Sequence, residues 1–386
     1  MKSKSLKRWI SVCLAAAAIT VMAAGCQGKE EAPASGDTNA SQSENTQVSD
    51  AADTGTAKTD EASDSKDGKT IIGKVSYNMN EAYHQAECAW FEKYAEEAGY
   101  ETIIIDGKVD SSIMLNSVQD LISKNTKAII CQPADVANAE ALVQEAQNAD
   151  VPLATFVNKA ETTANPHIRL YEAPATKELG AAAAKKWMEW YPDKKIVMAI
   201  IDIPSSQQVH EERALAFVEG VQSVAADAEV AVMLDGESSR DKSMACGEDI
   251  LQSHPEVNMV YGINANSVLG ALAAFEAAGR GQAEDGIPKT ELFVGTDGSE
   301  QEAIKIYDPN SSLKLTMALS PKNNAKTQID TAIQLMNGEI DAKSDYEVEV
   351  TDVVLDYWST PIDEFQKFLV DEYFSEMDLK QELGLK

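Results

Sequence analysis

Residues 70–106 read TIIGKVSYNMNEAYHQAECAWFEKYAEEAGYETIIID. The β-branched run Ile71-Ile72-Gly73-Lys74-Val75 predicts a buried strand. Between Glu81 and Ala98, the residues Ala86, Trp90 and Tyr94 recur on one helical face, and Gly99 supplies the stop. Thr102–Ile105 returns to strand composition, so the stretch is strand, helix, strand. The unit then repeats. A helix is predicted over Ser111–Lys124, with Met114, Leu115, Val118, Leu121 and Ile122 on one stripe. A strand over Ala128–Cys131, a helix over Val136–Ala149 and a strand over Pro152–Val157 follow. Such alternation implies parallel strands joined by right-handed crossovers, which is a doubly wound sheet.

The pattern restarts further on. Helices are predicted over Pro174–Tyr191, Gln207–Ala225, Asp241–Ser253, Ser267–Ala278 and Ser299–Tyr307. Strands fall between them at Ile196–Ile203, Val230–Leu234, Asn258–Tyr261 and Leu292–Gly295. Two α/β halves of similar size predict two Rossmann-like lobes. Open α/β sheets bind ligands beyond the carboxyl ends of their strands, so two lobes facing one another make a cleft. Pro361–Lys386 holds an amphipathic helix around Phe365, Phe368 and Leu369, read as an accessory tail.

Outside these halves the N-terminal stretch sets the compartment. Lys2, Lys4, Lys7 and Arg8 precede an apolar run from Trp9 to Ala24, then Gly25 and Cys26. This order is that of a secretory signal, and the run is short for a spanning helix. Gln27–Lys69 lacks aromatic residues and has Val48 as its one β-branched aliphatic, so an acidic, disordered tether is expected over 26–69. The chain carries 33 basic and 63 acidic residues, a formal charge of −30. That balance excludes nucleic acid as a partner, because phosphate recognition needs basic patches. Cys88, Cys131 and Cys246 show neither CxxC nor metal spacing; being odd in number, they leave at least one thiol unpaired within the chain, and Cys131 reads as core.

Motifs for catalysis are absent. The sequence has no GxSxG elbow, no phosphate-binding GxxxxGK[ST] loop and no HExxH helix. His84, His167, His210 and His254 are scattered, so neither a metal nor a cofactor is called for. Strand ends are more informative. Asp297 follows the strand at Leu292–Gly295, where it serves as a double hydroxyl acceptor or as an N-cap for the helix from Ser299. Asn264 ends another strand, as a ligand group or a turn residue. Arg213 shares the apolar face of its helix with Val209 and Phe217, and needs either a carboxylate partner such as Glu211 or Glu212 or a cleft to line. In the first half Asn80, Tyr83 and His84 follow the first strand and Asn158 the fourth; aromatic faces there suit a sugar ring, or pack inside the lobe.

These residues, in this order, resemble the periplasmic sugar-binding proteins of the ribose-binding type, the extracytoplasmic subunits of ATP-driven (ABC) importers. The resemblance covers about 70–355. It is carried by Gly99-Tyr100, Val118-Gln119-Asp120-Leu121-Ile122, Gln132-Pro133-Ala134-Asp135, Ala149-Asp150-Val151-Pro152, Glu212-Arg213, Val268-Leu269-Gly270-Ala271-Leu272 and Val294-Gly295-Thr296-Asp297-Gly298. It implies that Arg213, Asn264 and Asp297 bind sugar hydroxyls and that aromatics near Tyr83 and His84 sandwich the ring. The start resembles a bacterial lipoprotein signal, implying cleavage after residue 25 and a lipid anchor to the cell membrane on Cys26, although Ala23 stands where such signals usually carry Leu. Three interlobe crossings are implied, near Tyr171-Glu172, Leu319-Ser320 and Val350–Asp352. The first lobe then comprises 70–171 with 320–350, the second 172–319 with 351–360, and 361–386 is the tail.

Departures from the ribose pattern fall at the ligand. Val157-Asn158 stands for an Asp-Arg pair, Leu319 for a hinge Gln and Tyr171 for a Ser. They imply a ligand that differs from ribose in hydroxyl pattern or carries an apolar part. The resemblance therefore implies a receptor that closes on a sugar or sugar-like solute and delivers it to a membrane permease. The alternatives are a nucleoside or furanose-like signalling ligand, or presentation of the ligand to a membrane sensor.

Overall fold

A computed structural model describes residues 70–350 and 353–385. The expected leader, Cys26, the tether and residues 351–352 of the third expected crossing lie outside the described residues.

The first lobe begins β1 (Ile71–Ser76), α1 (Ala82–Glu97), β2 (Glu101–Asp106), α2 (Ser111–Ser123), β3 (Ala128–Cys131), α3 (Val136–Asn148), β4 (Leu153–Phe156) and β5 (His167–Leu170). The second contains α4 (Ala173–Trp190), β6 (Val197–Asp202), α5 (Gln207–Val209), α6 (Ala216–Val224), β7 (Glu229–Asp235), α7 (Arg240–Ser253), β8 (Met259–Gly262) and α8 (Ala265–Ala277). It continues through the short hairpin β9 (Ala283–Glu284) and β10 (Ile287–Pro288), then β11 (Leu292–Asp297), α9 (Glu300–Tyr307) and β12 (Leu313–Ala318). The chain then returns through α10 (Pro321–Met336) and β13 (Glu347–Val350), and ends with β14 (Val353–Asp356), α11 (Ile362–Tyr373) and α12 (Leu379–Glu382).

Two six-stranded sheets result, ordered β2-β1-β3-β4-β5-β13 and β7-β6-β8-β11-β12-β14. Every pairing in the first is parallel. In the second, β14 alone runs antiparallel, against β12. The two sheets share one winding order and reverse between β1 and β3 and between β6 and β8, so each has a topological switch point at its carboxyl edge. The fold class expected from the β/α alternation is observed. β5, the β9–β10 hairpin, β12, β13 and β14 were not anticipated; β5 and β14 each follow another strand through a loop rather than a helix.

Chain crossings between the sheets follow β5, β12 and β13, since α4 packs on β12 and β14 whereas α10 packs on α1 and β3. Helices α4 and α6 approach closely through Gly180 and Gly220; a Cβ on either would strike the other helix's backbone at Phe217 O or Lys177 O. Inside the first lobe Lys74 is buried, its Nζ 2.5 Å from Gln328 Oε1 and 3.3 Å from Glu87 Oε2. Burial acts to raise the Glu87 carboxyl, but Lys74, His84 and Gln328 together hold it down to about 2. This network ties β1, α1 and α10 into one body. The three cysteines of the described residues are buried free thiols.

One predicted helix is not uniform. Gln207–Ala225 is interrupted by a π-helical segment, His210–Leu215, and Arg213 lies in it. Val209, Arg213 and Phe217 are nonetheless all buried, as their shared helical face predicted.

Candidate functional site

Carboxyl ends of strands from both sheets meet around a small, partly open cavity of about 40 Å³. From the first lobe come Tyr77, Glu81, Tyr83, His84, Gln132, Phe156 and Val157; from the second, Ser206, Arg213, Ser238, Ile263, Asn264 and Asp297. Tyr77, Ile203 and Ser238 also border a wider groove of about 650 Å³, which opens at the mouth beside Lys108 and Glu237.

The lobes are clasped across this space. Ser238 Oγ donates to Glu81 Oε1 at 2.8 Å, and Ser206 Oγ to Asn158 Oδ1 at 2.9 Å. Arg169 Nη2 lies 2.6 Å from Glu212 Oε1. Val157, Ser238 and Asp297 adopt φ of +64°, +54° and +113°. Positive φ is costly for such residues, most of all for a β-branched valine, and strained backbone concentrates at ligand sites.

Arg213 is buried and bidentate on Glu172, with Nε 2.5 Å and Nη2 2.8 Å from its carboxylate oxygens, and Nη1 donates to Ile263 O at 2.8 Å. A guanidinium has five N–H groups, so two are left for the cavity. The salt-bridge partner is thus Glu172, next to the first crossing, and not the adjacent Glu211 or Glu212.

Asn264 caps α8 by accepting from Ser267 N at 2.8 Å, while its amide donates to Ser238 Oγ. It is a cap and a lining residue at once. Asp297 is not the N-cap of α9; Ser299 takes that place in a capping box with Glu302. The Asp297 carboxylate instead accepts from Ala265 N at 2.8 Å, the one hydrogen bond the described residues give it. Burial pushes the Asp297 carboxyl up, Arg213 and the Ala265 N–H oppose this, and Glu81 and Glu172 add to it. Glu302, buried behind, is raised by burial and by Asp297.

Tyr83 and His84 line the cavity as an edge-to-face pair with centroids 5.1 Å apart, and Tyr77 sits 5.7 Å from His84. Tyr83 Oη accepts from Asn324 Nδ2, so the ring is fixed by α10.

Three expected site residues are placed elsewhere. Tyr171 is 41% exposed and lies outside the cavity, because it sits at the crossing where the chain leaves β5. Asn80 is exposed at the mouth. Asn158 is buried but faces a different groove; its amide donates to Pro133 O and Ala134 O and its oxygen accepts from Ser206, so its hydrogen-bonding groups are already engaged. Among the described residues no group of three or more His, Cys, Asp or Glu side chains is set to hold a metal ion.

The family model for a periplasmic binding protein domain matches residues 72–340. The chain belongs to that family. This periplasmic binding protein is 24% identical over 269 residues to the ribose import binding protein of Bacillus subtilis, covering 69% of this chain and 82% of that one. The Escherichia coli ribose import binding protein is 25% identical over 276 residues, 70% and 86% of the two chains. Among solved structures, the arabinose transporter binding protein from Shewanella sp. ANA-3, bound to L-arabinofuranose, superposes with a TM-score of 0.66 at 18% identity, covering 80% of this chain and 99% of that one. A solute-binding protein from Bacillus halodurans with bound myo-inositol gives 0.59 at 18% identity, covering 78% and 97%.

Sequence reasoning missed several residues that line the cavity of this periplasmic binding protein. Tyr77 and Gln132 follow β1 and β3 directly, and the strand-end rule that selected Asp297 selects them too. Gln132 is buried and its Oε1 has no hydrogen-bond partner among the described residues. Glu81, Ser206 and Ser238 sit in loops, and Glu172 at a crossing; their parts depend on lobe apposition, which no local pattern encodes.

Proposed function

We propose that the chain is an extracytoplasmic solute-binding receptor that captures a sugar or sugar-like ligand between its lobes and hands it to the membrane permease of an ABC-type importer. The observation that carries this reading is the inner cavity, where hydrogen-bonding side chains of both lobes meet around aromatic and aliphatic walls. A sugar ring has that same duality, a rim of hydroxyls and two apolar faces. Arg213, Asn264, Asp297 and Gln132 would hold hydroxyls, and Tyr77, Tyr83 and His84 would flank the ring. Asn158 would act as a clasp of the closed state, and Asn80 would meet ligand at the mouth. The relatives named as ribose import binding proteins and the neighbours holding L-arabinofuranose and myo-inositol support a small polyhydroxylated solute.

Val157 and Leu319 make the first-lobe and hinge walls apolar, which favours a ligand other than ribose. A furanose-like ligand is the second reading, favoured by neighbours bound to L-arabinofuranose and fucofuranose. The role is capture without turnover. Family membership carries an extracytoplasmic location, and the Gly25-Cys26 junction supports a lipid anchor on Cys26.

The test is calorimetric titration of the purified chain with pentoses, hexoses, polyols, disaccharides and nucleosides. One sugar is expected to bind, with at least a tenfold loss in both Asp297→Ala and Arg213→Ala. Binding confined to nucleosides or to no member of the panel would refute the sugar reading.

A further inference from the structure

We propose that the ligand of the cleft carries a positively charged amine, seated between Glu81 and Asp297. This deepens the sugar-receptor reading and rests on it.

Charge in the cavity leads to the inference. Its lining includes two carboxylates, Glu81 and Asp297, one from each lobe, and both side chains are buried. The cation beside them is Arg213, whose charge is already met by the bidentate contact with buried Glu172. Counting Glu172, the site holds three carboxylates for one guanidinium. Buried carboxylates without a counter-charge are costly, and a ligand made only of hydroxyls leaves that deficit in place.

Hydrogen-bond demand has the same sign. Glu81 Oε1 accepts from Ser238 Oγ at 2.8 Å and from Asn78 Nδ2 at 3.1 Å, and both contacts fall on that one oxygen. Asp297 takes one hydrogen bond from Ala265 N, and Gln132 offers the cavity an unpartnered, buried Oε1. Three acceptor groups thus face the space, against the two N–H groups that Arg213 leaves free. An ammonium has three N–H donors and no acceptor, and its hydrogen bonds to carboxylates are charge-assisted. The aromatic walls fit as well: Tyr77, Tyr83 and His84 stand together on the Glu81 side, and aromatic faces attract ammonium groups. The raised Asp297 carboxyl, buried and near Glu81, is the group such a cation would relieve.

The experiment titrates the full chain at pH 7 with D-glucosamine, D-galactosamine and D-mannosamine, each against the neutral sugar bearing a hydroxyl in place of the amine. Putrescine and choline serve as amines that are not sugars. One amino sugar is expected to bind at least tenfold tighter than its neutral counterpart, and Glu81→Gln is expected to narrow that ratio to about threefold or less. The counterpart comparison is made on the natural chain, so it holds even where the variant is unstable. A neutral sugar binding as tightly as its amino counterpart overturns the amine inference and leaves the receptor reading standing. Binding of putrescine or choline alone upholds the charge argument and overturns the sugar reading. No binding by any of these probes overturns the amine inference, and the wider titration above then decides the receptor reading separately. An undiminished preference in folded Glu81→Gln overturns the part assigned to Glu81.

Discussion

Asp297 shows how one side chain carries both a cost and a use. Its carboxyl is raised by burial and then by Glu81 and Glu172 against the opposing Arg213 and Ala265 N–H, and that of Glu302 by burial and by Asp297. A group whose folded pKa lies above its unfolded value adds stability below the unfolded pKa, and that stability is lost as pH rises through the folded pKa. Asp297→Asn keeps the side chain neutral at every pH. It is therefore expected to leave the melting temperature of the ligand-free chain nearly unchanged near pH 4 and to raise it at pH 8 by a few degrees, about 1–2 kcal/mol. The same variant is expected to lose ligand affinity. Melting curves at the two pH values check the sign, and a drop at pH 8 would show that the charged form is the stabilising one. At this scale Asn264 and Asp297 could be picked from the sequence because each is a polar residue where an apolar run ends, and Arg213 because it shares its helix's apolar face with Val209 and Phe217. Glu172 could not: its contact with Arg213 spans 41 residues, and no local pattern encodes such a pairing.

Elements were legible to the extent that their patterns are local. The strand and helix periods over 71–157 and 196–307 required no tertiary knowledge. β14 and the π-turn did, since partner strands and i→i−5 hydrogen bonds leave no periodicity of their own in sequence. The tail is intermediate. Its amphipathic pattern announced a helix, but not its docking. Phe365 and Leu369 bury in the second lobe's core, and Tyr373 Oη donates to Asp297 O at 2.7 Å. The other end of α11 reaches the first lobe: Trp90 Nε1 donates to Glu372 O at 2.8 Å, and Phe374 stacks on Trp90 with centroids 4.3 Å apart. The tail thus spans both lobes next to the second crossing, where Ser320 Oγ donates to Glu372 Oε2 at 2.7 Å. Trp90→Ala is expected to cost roughly 3–5 kcal/mol, and Trp90→Phe, which keeps a ring and loses the N–H, about 1 kcal/mol. Denaturant midpoints measure both; equal losses would show that stacking contributes nothing.

At the scale of the whole molecule, the proposed receptor works by closure. The structure shows the clasped arrangement, with Glu81–Ser238 and Asn158–Ser206 bridging the lobes. Those bridges and Arg169–Glu212 are polar, and a ligand that touches both lobes is expected to favour the closed arrangement by its differential affinity. Two-lobe architecture was readable from the restart of the β/α pattern; which loops meet was not, because apposition depends on three crossings at once. The most direct measurement is the distance between spin labels at Lys108→Cys and Glu237→Cys, exposed residues that face the mouth from opposite lobes. A broad, long distance distribution is expected in the free chain and a single shorter one with the tightest-binding sugar. Identical distributions with and without a bound sugar would contradict closure.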